Sequence, residues 1–281
     1  MGEKMTKGKS RRGIILSLAV VLMFTLLIKY ATDVQNAKIS VNSAVSRLFA
    51  AEKLGYYLDD IGTDMRTIVS ASIPANSTTM VFAENMTINK SSFFSNYSRF
   101  ISNYSNNTNA NIFFNTTNPF QVILSDGLVY QTNYTNRQIK VFNSTGSTAS
   151  VTGYRIDVVS NTTRQFGGVS YPTYIGSGTR MVVNYTDPVS SRSFFTQGYV
   201  NPAAGNVLSI SYSGGRDVYV VVGLIDGRDN SFMLNQSGID AFPYVTITVN
   251  RSTKDTVSAF YNASLNVSMP GTNFSGMPPA N

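Results

Sequence analysis

"GIILSLAVVLMFTLLI" fills residues 13–28, carries no charge, and has only Ser17 and Thr25 as polar groups. As a helix, a run of this length spans roughly 24 Å, slightly short of a bilayer core. Lys29 can snorkel and Tyr30 can sit at the interface, which extends the usable length. Lys4, Lys7, Lys9, Arg11 and Arg12 precede the run, against a single acid, Glu3. The positive-inside rule then places the N-terminus in the cytoplasm and everything after Lys29 outside.

The apolar run does not stop in a turn. Val41, Val45, Leu48, Ala51, Leu54, Leu58, Ile61, Met65 and Ile68 recur every three or four positions, which draws one apolar stripe along a helix. Proline is absent from this stretch until Pro74. Gly55 and Gly62 weaken a helix by about 1 kcal/mol each without breaking it. The pattern predicts one helix over 13–72, apolar all round in its first third and one-sided afterwards. A membrane segment at 14–30 is followed by an amphipathic stalk at 31–73, and a basic cytoplasmic leader occupies 1–13.

Three processing routes fit the segment. A secretory signal peptide has the right basic start, but "LIKYATD" (27–33) offers no good small-x-small cleavage site. An uncleaved signal anchor needs no cut. A class III signal is cut before the apolar run. The stretch "KSRRGIILSLAVVLMFTLLIKYA" (9–31) resembles a type IV pilin or archaellin-like subunit of archaeal character. The resemblance covers about a fifth of the chain and implies cleavage between Gly13 and Ile14. It also implies a helix that anchors in lipid or bundles with copies of itself or with other pilin-like subunits. Many pilins carry an acid at the fifth mature position; counted from Ile14 that position is Leu18.

After Pro74 the texture changes to short β-prone runs between Gly, Asn, Asp and Ser clusters. Twelve strands are expected, near 79–83, 120–125, 128–132, 139–142, 154–159, 181–185, 194–200, 207–212, 218–224, 232–234, 244–249 and 257–261. "SDGL" (125–128), "SGGRD" (213–217) and "DGRDN" (226–230) read as hairpin turns. "VYVVVGLI" (218–225) is continuously apolar and reads as a central strand. Residues 85–118 read as a long loop or irregular strands, and 269–281 as a disordered tail. The fold class is α+β: a long N-terminal helix, then a predominantly antiparallel β head at 74–268, as a sandwich or a curled sheet.

The head is written in asparagine. Of 27 asparagines, 16 have Ser or Thr two places on. With Ser and Thr at about a fifth of the chain, chance gives about six, and the +1 offset holds only about seven. The excess sits at the spacing an oligosaccharyltransferase reads. The acceptors are Asn76, Asn85, Asn89, Asn96, Asn103, Asn106, Asn115, Asn133, Asn143, Asn161, Asn184, Asn235, Asn250, Asn262, Asn266 and Asn273. All lie on the outer side that the charge rule assigns independently. The competing reading is a polar surface of turn formers.

Charged residues make up only 13% of the chain, and a glycan coat supplies solubility that such a surface lacks. The net charge of +7 is concentrated in the leader, so no basic face for nucleic acid is expected. Cysteine and histidine are both absent, which removes disulfides and the commonest base and metal ligand. Asp59, Asp60 and Asp64 suggest a calcium site less well than a solvated helix face. Asp226 and Asp229 fit a turn better than a calcium loop. "GSG" (176–178) lacks a nucleophile-elbow context. The expectation is a membrane-anchored, N-glycosylated cell-surface protein, pilin-like and single-pass or in an extracellular filament, with no enzyme activity and no cofactor. Its partners are lipid, copies of itself or like subunits, and glycans. The alternatives are a non-polymerising anchored adhesin and an extracellular hydrolase.

Overall fold

A computed structural model describes residues 7–69, 71–72, 78–86, 90–106, 110–116, 119–144, 151–160, 162–236, 244–252, 257–269 and 272–277. Helix α1 runs Lys7–Val69, 63 residues. By its contacts the chain parts into two units between Lys53 and Leu54. The first is helix. The second is a β head that incorporates the last turns of α1.

Why those last turns join the head is a matter of spacing. Tyr57, Ile61 and Met65 lie four apart on one face and are buried, with Leu54, Leu58 and Ile68 partly covered beside them. The stripe expected to begin at Val41 is therefore covered only from Leu54 on; Val41, Val45 and Leu48 are exposed.

The head begins with β1 (Ala71–Ser72) and β2 (Thr79–Glu84), then helix α2 (Ser91–Asn106). Strands β3 (Asn111–Thr116), β4 (Phe120–Leu124), β5 (Leu128–Asn133), β6 (Gln138–Asn143) and β7 (Val151–Val159) follow. Next come β8 (Phe166–Ser170), β9 (Thr179–Asp187), β10 (Arg192–Val200), β11 (Gly205–Tyr212) and β12 (Arg216–Ile225). The last are β13 (Arg228–Gln236), β14 (Tyr244–Arg251), β15 (Ala259–Tyr261), β16 (Ala263–Met269) and β17 (Thr272–Gly276). All twelve strands read from the sequence are present; those expected at 120–125 and 257–261 are shorter, and the others are longer by one to six residues, most of all 232–234, which runs Arg228–Gln236. The three hairpin turns are also in place. Asp226 and Gly227 both have positive φ, at 52° and 77°, between paired Ile225 and Arg228, which is the two-residue turn that matches strand twist.

Two large sheets form a sandwich. One has the order β1-β2-β14-β7-β9-β10 and the other β15-β4-β5-β6-β13-β12-β11-β8. The named pairs are antiparallel except β7 with β9. β12, the continuously apolar strand, is interior, between β11 and β13. Its Gly223 has φ 120°, and a Cβ there would lie 1.9 Å from the Ala204 carbonyl oxygen, so this break in an apolar strand is sterically required. Rings join the sheets: Phe82 of β2 stacks on Tyr130 of β5 at 4.0 Å, and Tyr154 of β7 on Phe232 of β13 at 5.4 Å. Arg251 of β14 pairs with Asp126 in the β4–β5 turn.

A smaller sheet, β17-β16-β3, completes the head. Its inner residues Ile112, Phe114, Leu265 and Val267 are buried. Phe94 of α2 stacks on Phe120, and Tyr97 of α2 meets Phe114 edge-on. Two expectations are corrected here. Residues 91–106 form a helix instead of loop, because its ring residues find a core to cover. Residues 272–276 form an edge strand on β16 instead of a disordered tail.

Candidate functional site

The first candidate surface is the helix before Leu54. From Leu16 to Phe49 every side chain is exposed. Leu16, Leu18, Val20, Val21, Leu22 and Met23 open a series of large apolar residues that continues to Ile28. Thr25, one of the two polar groups in the run, donates its hydroxyl to the Val21 carbonyl at 2.7 Å. Its polarity is thus satisfied within the helix, as hydrocarbon surroundings require. By length and composition this helix is long and apolar enough to cross a membrane. Gly13 and Ile14 lie within the helical range.

The second candidate surface carries the asparagines of the Asn-x-Ser/Thr tripeptides, and the fold sorts them. Asn96, Asn103 and Asn106 on α2, Asn115 on β3, Asn266 on β16 and Asn273 on β17 are exposed. All six belong to α2 and the three-stranded sheet. Asn85, Asn133, Asn184, Asn235, Asn250 and Asn262 are half-buried on the sandwich. Asn184 donates to Asp157 Oδ1 at 3.2 Å and Asn262 to Gln121 Oε1 at 3.2 Å. Asn143 is only 7% exposed. Asn76, Asn89 and Asn161 lie outside the described residues.

Three concavities among the described residues lie in the same region. A groove of about 550 Å³ runs between α2 and β3, lined by Ser95, Arg99 and Ser102 on one bank and Phe113, Asn115 and Thr116 on the other. A second, of about 340 Å³, lies between α2 and the end of α1, where Tyr97 donates to Asp64 Oδ2 at 3.0 Å. A third, of about 220 Å³, crosses β3, β16 and β17. The groove is not visible in the sequence, because its banks are 11 or more residues apart in the chain. One local signal was present: Phe113 stands two residues before Asn115, which opens an Asn-x-Thr tripeptide.

Glu84 and Asp226 of the head lie apart from these grooves and are engaged by neighbours. Glu84 accepts from Lys90 Nζ at 2.8 Å and from the Tyr130 hydroxyl at 2.8 Å, and its side chain is sealed from solvent. Burial pushes its carboxyl above the usual range, against the pull of the Lys90 charge and both hydrogen bonds. Burial, and then the Glu84 charge, raise the Tyr130 hydroxyl well above its usual range. Asp226, in its hairpin turn, is held by Lys140 at 2.6 Å, which lowers its carboxyl. Among the described residues no group of three acids converges as a metal cage would require.

No family model, curated protein or solved structure matches this chain.

Proposed function

We propose that the chain is a membrane-anchored, N-glycosylated surface subunit whose apolar helix stands in lipid or bundles with like helices, as in pilin-like filaments. The observation that supports this reading is the change of environment along one helix. From Leu16 to Phe49 its large apolar side chains are uncovered, whereas Tyr57, Ile61 and Met65 are buried in the head. Uncovered apolar surface on this scale marks a membrane or protein contact, since in water it drives association. The chemistry offered is mechanical: the helix anchors, the sandwich is displayed, and sugars cover a surface with few charges. The exposed acceptors on α2 and the three-stranded sheet support the last part.

The test is the mature N-terminus together with filament morphology in native material. A chain beginning at Ile14 and present in purified surface filaments is the expected result. An intact Met1, or a cut beyond Ala31, contradicts the class III route. Leu18, where many pilins place an acid, favours a second reading, an anchored adhesin that never polymerises. Electron microscopy separates the two, because the adhesin stays in the membrane fraction and forms no filaments.

A further inference from the structure

On a strand, residues two apart point the same way, about 7 Å from each other. The outward side chains of β3 are Asn111, Phe113 and Asn115. On β16 they are Ser264, Asn266 and Ser268, with Asn266 opposite Phe113 and Ser264 opposite Asn115. Phe113 is 56% exposed, although Ile112 and Phe114 beside it are buried. A phenyl ring facing water in a polar row forgoes its hydrophobic gain unless something covers it.

An attached sugar meets that need. A pyranose presents a face of C–H groups that packs flat on an aromatic ring, and its hydroxyls remain free for polar neighbours. We infer that Asn115 is a glycosylated position whose innermost sugar lies against Phe113, with the next sugars running along the groove between α2 and β3. This rests on the surface-glycoprotein reading. The groove, at about 550 Å³, lies in the range of small-molecule sites and opens beside Asn115. Its far bank offers the hydroxyls of Ser95 and Ser102 and the guanidinium of Arg99 to sugar oxygens. The donor is a lipid-phosphate-linked oligosaccharide. The Asn115 amide nitrogen forms the bond to the anomeric carbon, the bond from that carbon to phosphate oxygen breaks with its electron pair, and the amide proton passes to base. Asn266 also adjoins Phe113, but over the smaller cleft of about 220 Å³ shared with Asn273 and Phe274. The larger groove assigns the stacked sugar to Asn115.

The experiment compares the full chain in detergent from its glycosylating source with the same chain from a host without N-glycosylation. Peptide mapping is expected to find Asn115 occupied. Phe113→Ala is expected to lower Tm by about 2–4 °C in the glycosylated chain, the effect of one lost stacking contact in a domain of this size. The same change is expected to stay within about 1 °C in the sugar-free chain and in Asn115→Gln. Ring-current shifts of the first sugar's C–H protons, lost in Phe113→Ala, are the spectroscopic signature. Asn115 bare while other acceptors carry sugar overturns this inference and leaves the surface reading standing. Every acceptor bare overturns both. An equal Phe113→Ala effect with and without sugar, or one that follows Asn266→Gln instead of Asn115→Gln, overturns the stacking.

Discussion

Glu84 and Lys90 are six residues apart and meet at the hydroxyl end of Tyr130, which reaches Glu84 from the facing sheet. Lys90 Nζ lies 2.8 Å from Glu84 Oε2, and both residues are buried. A buried pair of this kind adds little net stability but is costly to halve, because the surviving charge has no solvent. Lys90→Met is expected to destabilise the head by about 3–5 kcal/mol near neutral pH. The sign of its pH dependence follows from Glu84. Its folded pKa is raised above the ordinary 4.5, so its ionised form opposes folding above the folded pKa. That penalty fades as pH falls through the folded value and is gone below the unfolded one. Removing Lys90 removes the charge that restrains the shift, so the variant should recover stability on acidification, and Glu84→Gln in the same chain should abolish the recovery. Denaturant unfolding between neutral pH and pH 4.5 checks both, and a Lys90→Met deficit that does not vary with pH contradicts the argument. Nothing in the sequence marks this pair, since a lone Glu and a lone Lys in turn-rich text read as surface. Gly223 is similar: its place in an apolar strand was legible, but the Ala204 carbonyl that excludes a side chain comes from another turn.

Along α1, one periodic stripe meets two environments. Met65 is fully buried, whereas Leu48 is 69% exposed. Met65→Ala is expected to lower head stability by about 2–5 kcal/mol through the cavity it leaves. Leu48→Ala should stay within about 0.5 kcal/mol in detergent-solubilised monomer. Thermal or denaturant unfolding of the two variants side by side checks the contrast, and equal losses would contradict the division at Lys53 and Leu54. Both residues belong to the stripe that the sequence draws, so periodicity located the helix but not the turn where its cover begins. Helix α2 teaches the converse. Phe93, Phe94, Tyr97, Phe100, Ile101 and Tyr104 recur at helical spacing, yet Ser and Asn between them are weak helix formers and read as loop. Phe94 and Ile101 become buried against β3 and the end of α1, and that packing holds a helix that propensity alone would not. The β strands were easier, because alternation over five to ten residues is a local property. The partner of each strand is not local, and β3 with β16 joins segments about 150 residues apart.

For the whole molecule, the main consequence is where sugar can go. If the head is glycosylated as proposed, occupancy should rank by exposure. Asn96, Asn103, Asn106, Asn115, Asn266 and Asn273 should be modified most fully, and Asn143, 7% exposed, least. Site-by-site glycopeptide quantification checks this, and full occupancy at Asn143 with bare sites on α2 would contradict it. Such a distribution coats the α2 and small-sheet region and leaves the sandwich comparatively bare. Composition and spacing alone were enough for the apolar helix, the change from helix to strands near residue 74, twelve of the strands, and the set of Asn-x-Ser/Thr tripeptides. These follow from spacing and composition within a few neighbouring residues, which a linear reading contains. The folded arrangement was needed to show which turns of α1 are covered, that 91–106 is helical, that Glu84 is sealed beside Lys90, and which asparagines face water. Burial is set by segments that meet across the fold, and their distance in space is not a function of their distance along the chain.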